Sequence, residues 1–235
     1  MYEEQYPAPQ SPQGPMTTAP RPFGEIPQLW LQVLQMTEDF FAQEAPRASA
    51  SNTLFSILIM AGISTVLAII STLVGGGIQA ALLPPESRGA AVAGVGAGIT
   101  TAICSGLIGT IIGFYLGNGI TFLCARLFGG TGDYNTQTYL VSLFAVPIGI
   151  VSGALAIIPC VGLIAALGVS IYAIVLNVRA VKVSHNLTTG KAVAAVFLPV
   201  VVVFVLVGCL FALLMFMGPG IEGVFDEIIN NLESY

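Results

Sequence analysis

Apolar residues in this chain come in long unbroken runs, with the polar positions gathered between them. The runs cover about 53–75, 100–125, 138–158, 161–180 and 191–217. Each holds about twenty residues or more, the length a helix needs to cross a hydrocarbon core about 30 Å thick. A membrane barrel would instead alternate apolar and polar positions over strands of about ten residues. A helix also pairs its own backbone groups, as lipid requires. The pattern predicts an all-α, polytopic membrane protein with five transmembrane helices.

The boundaries follow from the punctuation. Asn52 precedes the first span, and Gly75-Gly76-Gly77 is expected to stop it before a link carrying Pro84, Pro85, Glu86 and Arg88. The stretch from 89 to 127 is uncharged as far as Arg126, and two crossings would each be too short. One tilted helix from about Thr100 to Ala125 is therefore expected, with Gly89–Gly98 as a turn or short helix at the interface. Spans three and four form a hairpin turning at Pro159-Cys160. Fourteen Leu, Val or Phe residues between Leu198 and Met217 favour insertion of span five by about 4 to 8 kcal/mol.

Amphipathic segments flank the spans. In residues 26–45, Ile26, Trp30, Val33, Leu34, Phe40 and Phe41 recur at helical spacing against Gln32, Gln35, Glu38, Asp39 and Gln43. This is one interfacial helix, or two breaking near Thr37. Its apolar face either lies in the membrane interface with Trp30 at headgroup depth or packs on the end of the bundle. Residues 218–235 carry a second stripe, Ile221, Val224, Phe225, Ile228, Ile229 and Leu232, opposite an acidic face. Residues 1–25 are Pro- and Gln-rich and are expected to be a disordered cytoplasmic tail, without the charged and apolar regions of a signal peptide.

Composition sharpens the picture. From Thr53 to Met217 the charged residues are Glu86, Arg88, Arg126, Asp133, Arg179, Lys182 and Lys191, and the mean hydropathy of the whole chain is +0.89. A soluble domain would carry about a quarter charged residues. With the N-terminus in the cytoplasm, Arg47, Arg126, Arg179, Lys182 and Lys191 lie inside and Arg88 alone outside, which sets the orientation in the cell membrane. A net charge of −5 without a basic cluster argues against nucleic-acid binding. Cys104, Cys124, Cys160 and Cys209 lack CxxC spacing and read as small apolar packing residues.

No catalytic, metal or cofactor constellation emerges. His185 lies between spans four and five beside Lys182 and reads as a solvated loop residue. Asn186-Leu187-Thr188 fits a glycosylation acceptor pattern, on the cytoplasmic side of this topology. No carboxylate falls inside a span, which disfavours proton coupling. Asn118, with Thr100, Thr101 and Thr110, is expected to bond across helices. Gly109, Gly113 and Gly117, preceded by Gly106, and the pair Gly149 and Gly153 permit close helix approach. They serve either packing within the bundle or a homo-oligomer seam, the first being favoured. Pro147 and Pro199 kink spans three and five.

The lead LWLQVLQMTEDFF, the loop LFGGTGDYNTQTYL and the core from FAVPIGIV to VVVVFVLV together resemble the Yip family of Ypt/Rab-interacting membrane proteins. The resemblance covers about Pro27 to Met217 and rests on Gly129-Gly130, Pro147, Pro159, Gly190-Lys191 and Pro199 in order. It implies five spans, a cytoplasmic N-terminus and no enzymatic activity. In eukaryotic members it implies vesicle traffic through GTPase binding. This chain lacks the DLYGP-type sequence of those members and looks like the prokaryotic branch, so no GTPase partner and no functional residue is carried over. The expectation is a scaffold or organiser in the lipid bilayer, binding protein partners through the 26–45 helix and the 126–137 and 179–191 loops. A small passive channel or transporter is the alternative, using the kinks at Pro147 and Pro199 and the glycine-lined second span.

Overall fold

The computed structural model describes residues 19–34, 38–158 and 161–233, and these are helical wherever they are regular. Two short helices, α1 (Ile26–Val33) and α2 (Glu38–Glu44), precede α3 (Ala50–Leu82). Then come α4 (Pro85–Cys104), a π-helical turn at Ser105–Gly109, and α5 (Thr110–Leu127). The chain ends with α6 (Tyr134–Leu155), α7 (Val161–His185) and α8 (Thr189–Glu233). Because α4, the π-turn and α5 form one rod from Pro85 to Leu127, five helices among the described residues are long and apolar enough to cross a membrane.

Two boundaries differ from the sequence expectation. Gly75-Gly76-Gly77 does not end the first span; α3 continues to Leu82 and stops where Leu83 turns extended before Pro84. Gly89–Gly98 is neither a turn nor a separate helix but the body of α4. Glycine weakens helices in water, whereas in lipid no water competes for the exposed backbone and the helical hydrogen bonds hold. Proline still breaks the rod, since Pro84 pushes its predecessor out of the helical region and Pro85 suits a first turn.

Those glycines have a packing role. A Cβ on Gly76 would lie 2.3 Å from Val95, one on Gly98 would lie 2.9 Å from Thr72, and one on Gly106 would lie 2.2 Å from Thr65 Oγ1. Close approach along three turns therefore seats the α4 rod on α3. The π-turn at Ser105–Gly109 lies where that approach is tightest.

At the centre is α6, which packs on α3, α7, α1 and α5. The apolar face of α1 and α2 lies on it: Ile26, Leu29, Val33 and Phe41 are buried against Tyr139, Leu140, Leu143, Phe144, Leu176 and Ala180. Of the two placements open for segment 26–45, packing on the bundle is the one observed; α1 ends at Val33 and α2 begins at Glu38, and the expected break near Thr37 lies outside the described residues. By contrast, α8 packs on α5 and α7 through Ala192, Ala195 and Val196, and where the sequence expectation ended span five at 217 its helical backbone runs on through Gly218-Pro219-Gly220 to Glu233. The molecule thus has a charged end, where the α5–α6 and α7–α8 connections meet α1 and α2, and a hairpin end at Pro84-Pro85.

Candidate functional site at the charged end

Three local features build this end. The first is a matched pair of helix ends. α5 closes with Gly129 at φ +86°, its N–H bonding Arg126 O at 3.0 Å while Gly130 N–H reaches Ala125 O at 2.9 Å. α7 closes the same way, with Asn186 at φ +53° and Leu187 N–H on Lys182 O at 3.0 Å. Both are left-handed helix caps, a conformation that glycine adopts freely and asparagine tolerates. The residues of the glycosylation-like triplet are therefore a cap: Asn186 supplies the turn and Leu187 is buried beside Ala192 and Val196.

The second is a polar relay between these ends. His185 is fully buried as the last residue of α7, which corrects the expectation of a solvated loop side chain. Its burial comes from the glycine loop lying directly on it. A Cβ on Gly130 would sit 2.8 Å from His185 Nδ1, one on Gly132 would sit 1.8 Å from Ser184 O, and Thr131 N–H donates to His185 O at 3.1 Å. Gln137, also fully buried, donates through Nε2 to Asn118 O at 2.9 Å. Its Oε1 then accepts from His185 Nε2 at 2.8 Å, so the imidazole carries its proton there and Nδ1 has no partner. Phe122 packs 5.4 Å from the imidazole and lies under the Arg126 guanidinium at 5.2 Å. Asn118 bonds across helices as expected, its Oδ1 accepting from Gln137 Nε2 at 3.4 Å, and its Nδ2 donates to Phe114 O at 2.9 Å; Thr100 and Thr101, against the expectation, turn back on Gly96 O and Ala97 O of their own helix.

The third is a clasp joining the N-terminal segment to α6. Glu44 is buried, and it accepts from Arg21 Nη2 at 2.6 Å, Arg47 Nη1 at 3.1 Å and Tyr139 Oη at 3.2 Å. The hydrogen bond to Glu44 raises the Arg21 pKa against the opposing effect of burial. Asn52 Nδ2 ties Arg21 O at 2.9 Å, and the Tyr172 hydroxyl donates to Leu34 O. Asp133 caps α6, accepting from Thr136 N at 2.8 Å and Thr136 Oγ1 at 2.5 Å. Burial alone would raise its pKa, yet the bonds from Thr136 and Asn135 hold it below the ordinary carboxylate value.

The remaining sequence candidates divide. Gly190 and Lys191 are exposed at the start of α8, Lys191 beside the Gly129 cap. Arg179 is half-buried in α7, and neither it nor Lys191 has an ion-pair partner among the described residues. Pro147 is buried within α6, Pro199 is half-buried in α8, and Pro159 lies outside the described residues. Gly149 and Gly153 let Met60 and Leu67 of α3 approach. Gly113 and Gly117 face open space, and a Cβ on Gly109 would touch only Ser105 of the preceding turn. No group of three metal-ligating side chains occurs among the described residues. Sequence reasoning missed Gln137, Glu44 and Tyr139; one available signal was Asn118 and Gln137, two amides in or beside apolar runs.

Residues 31–211 match the model of the Yip1 domain, and the chain belongs to that family of membrane proteins. No curated protein and no solved structure matches the chain.

Proposed function

We propose that the chain is a non-enzymatic membrane scaffold, set in the cell membrane with its N-terminus and charged end in the cytoplasm, where that end binds protein partners. The observation that carries this reading is the state of its cations. Glu44, Asp133, Gln137 and the two helix caps are satisfied internally, so the platform is preorganised, while Arg179 and Lys191 have no ion-pair partner among the described residues and can take an outside group. Orientation is supported by the basic residues: Arg21, Arg47, Arg126, Arg179, Lys182 and Lys191 gather here and Arg88 stands at the hairpin end.

A photo-crosslinking residue in place of Lys191, used in native membranes, tests the reading. Soluble proteins are expected to crosslink there and to be lost when Arg179 is changed to Glu; lipid adducts alone would overturn it. A small passive channel has less support, because the cavities beside α3 do not reach the Gln137–His185 relay. Liposomes holding the purified chain are expected to stay tight to ions and small solutes, and a flux would move the assignment to transport.

A further inference from the structure

At the opposite end, a furrow runs along α3. Its outer part, about 650 Å³, lies between α3 and α4 and is lined in part by Ser71, Gly75, Gln79, Leu83, Ser87 and Gly94. Its inner part, about 310 Å³, continues between α3 and α6 past Leu67, Ala68 and Gly153 as far as Ser64. Both parts are lined by Ser71 and Thr72, so they adjoin on one side of α3 and are treated together as one trough. The Ser71 hydroxyl reaches Ala156 O at 3.4 Å, which sets the junction level with the end of α6. The inner part therefore lies between membrane-crossing helices, and the outer part rises past them toward Pro84-Pro85.

We propose that this furrow binds one glycerophospholipid lengthwise, with an acyl chain in the inner part and the headgroup at the hairpin. Chemistry changes along the trough in the sense a lipid requires. The inner walls are mainly Leu67, Ala68, Gly153 and Ala156, whereas the outer walls carry the Gln79 amide and the Ser87 hydroxyl, neither of which has a partner among the described residues. Arg88 Nε donates to O of Leu83, a wall residue, at 3.2 Å, so its guanidinium is moored at the rim. No carboxylate pairs with it among the described residues, leaving its remaining N–H groups free for a phosphate.

Polarity and charge select the occupant. From Ser64 to Leu83 the trough follows about 28 Å of helix, apolar at its inner end and polar toward Arg88. A membrane-crossing helix from a second copy would set apolar side chains against the polar end and leave the Arg88 guanidinium without an anion, whereas a phospholipid answers both.

Two glycines give a clean test. A Cβ on Gly75 or Gly94 meets no atom within 4 Å, and both residues line the furrow. Gly75→Leu and Gly94→Leu therefore fill the trough without breaking a helix contact, and Gly117→Leu on the open face of α5 is the control. The full chain is purified in mild detergent, loaded with a defined phosphatidylglycerol and examined by native mass spectrometry. The wild type and Gly117→Leu are expected to keep one lipid, Gly94→Leu and Gly75→Leu to lose at least about ten-fold in retention, and Arg88→Gln to lose several-fold. Inorganic phosphate at millimolar concentration is expected not to displace the lipid. Equal retention in the filled variants and the wild type would overturn the proposal, as would a dimer that Gly94→Leu dissociates. Circular dichroism confirms that the variants being compared stay helical, and Arg88→Gln, outside the helix contacts, decides the matter if both leucine variants unfold.

Discussion

Residues 137–144 of α6 and 200–213 of α8 are both stretches of membrane-crossing helix, yet their surroundings are opposite. All eight positions of the α6 stretch are buried, although Gln137, Thr138, Tyr139 and Ser142 are polar. All fourteen of the α8 stretch are exposed, although eleven of them are Val, Leu or Phe. In a protein solvated by water this would be inside out. In lipid it is consistent: apolar side chains gain little by hiding from hydrocarbon, whereas polar ones must find partners within the protein. The charged end is therefore held by specific hydrogen bonds and tight glycine contacts, and the 200–213 stretch of α8 by lipid.

Breaking the clasp should show the largest effect. Glu44→Ala takes the shared acceptor from Arg21, Arg47 and the Tyr139 hydroxyl, although Arg21 keeps its ion pair with Glu25. Loss of a buried charge from its pair costs about 3–5 kcal/mol, and the lower figure applies because both arginines keep some solvent contact. Unfolding titrations in mixed micelles are expected to show this loss together with release of α1 and α2 to protease. A loss under about 1 kcal/mol would mean that the clasp is not what fixes this end.

Next comes the glycine loop. Gly132→Ala puts a methyl group where Ser184 O now stands, 1.8 Å away, and backbone must move to admit it. Overpacking of this kind costs about 1–3 kcal/mol. The same measurement on Gly130→Ala is expected to fall in the same range and also to disturb the His185 imidazole signals in NMR spectra, since the added Cβ meets Nδ1.

The Asp133 cap is smaller. Asp133→Ala removes the acceptor for two Thr136 donors and is expected to cost about 1 kcal/mol. Because its pKa is held below the ordinary value, the carboxylate's contribution is full above about pH 4. It is lost as pH falls through the depressed pKa, and Asp133→Ala should lack that acid-side decline. Stability curves between pH 2 and 6 check the sign.

The contrast between the two stretches also explains what the sequence revealed. Five spans and the helical class were legible because hydrocarbon thickness is written into run length. The extents of α3 and α4 were not, because Gly75–Gly77 and Gly89–Gly98 carry the breaking tendency glycine has in water into a solvent where it is weak. His185 was misread for a related reason. Its burial depends on Gln137, 48 residues away, and on loop glycines whose closeness no local pattern displays. The apolar face of α1 and α2 was legible, but its destination on α6 was a matter of packing.

The smallest expected effect tests the comparison from the other side. Gly113 faces open space on α5, like the exposed stretch of α8, and an added Cβ touches nothing. If lipid covers that face, Gly113→Ala should shift stability by no more than about 0.5 kcal/mol in either direction, as for a substitution away from any contact. The same change in Gly153, whose added Cβ would lie 2.8 Å from Leu67 Cδ1 and 3.3 Å from its Cβ, should then be clearly worse. A loss at Gly113 equal to that at Gly153 would mean that a backbone from another molecule occupies the α5 face. The open half of the protein would then be an interface rather than a lipid-covered surface.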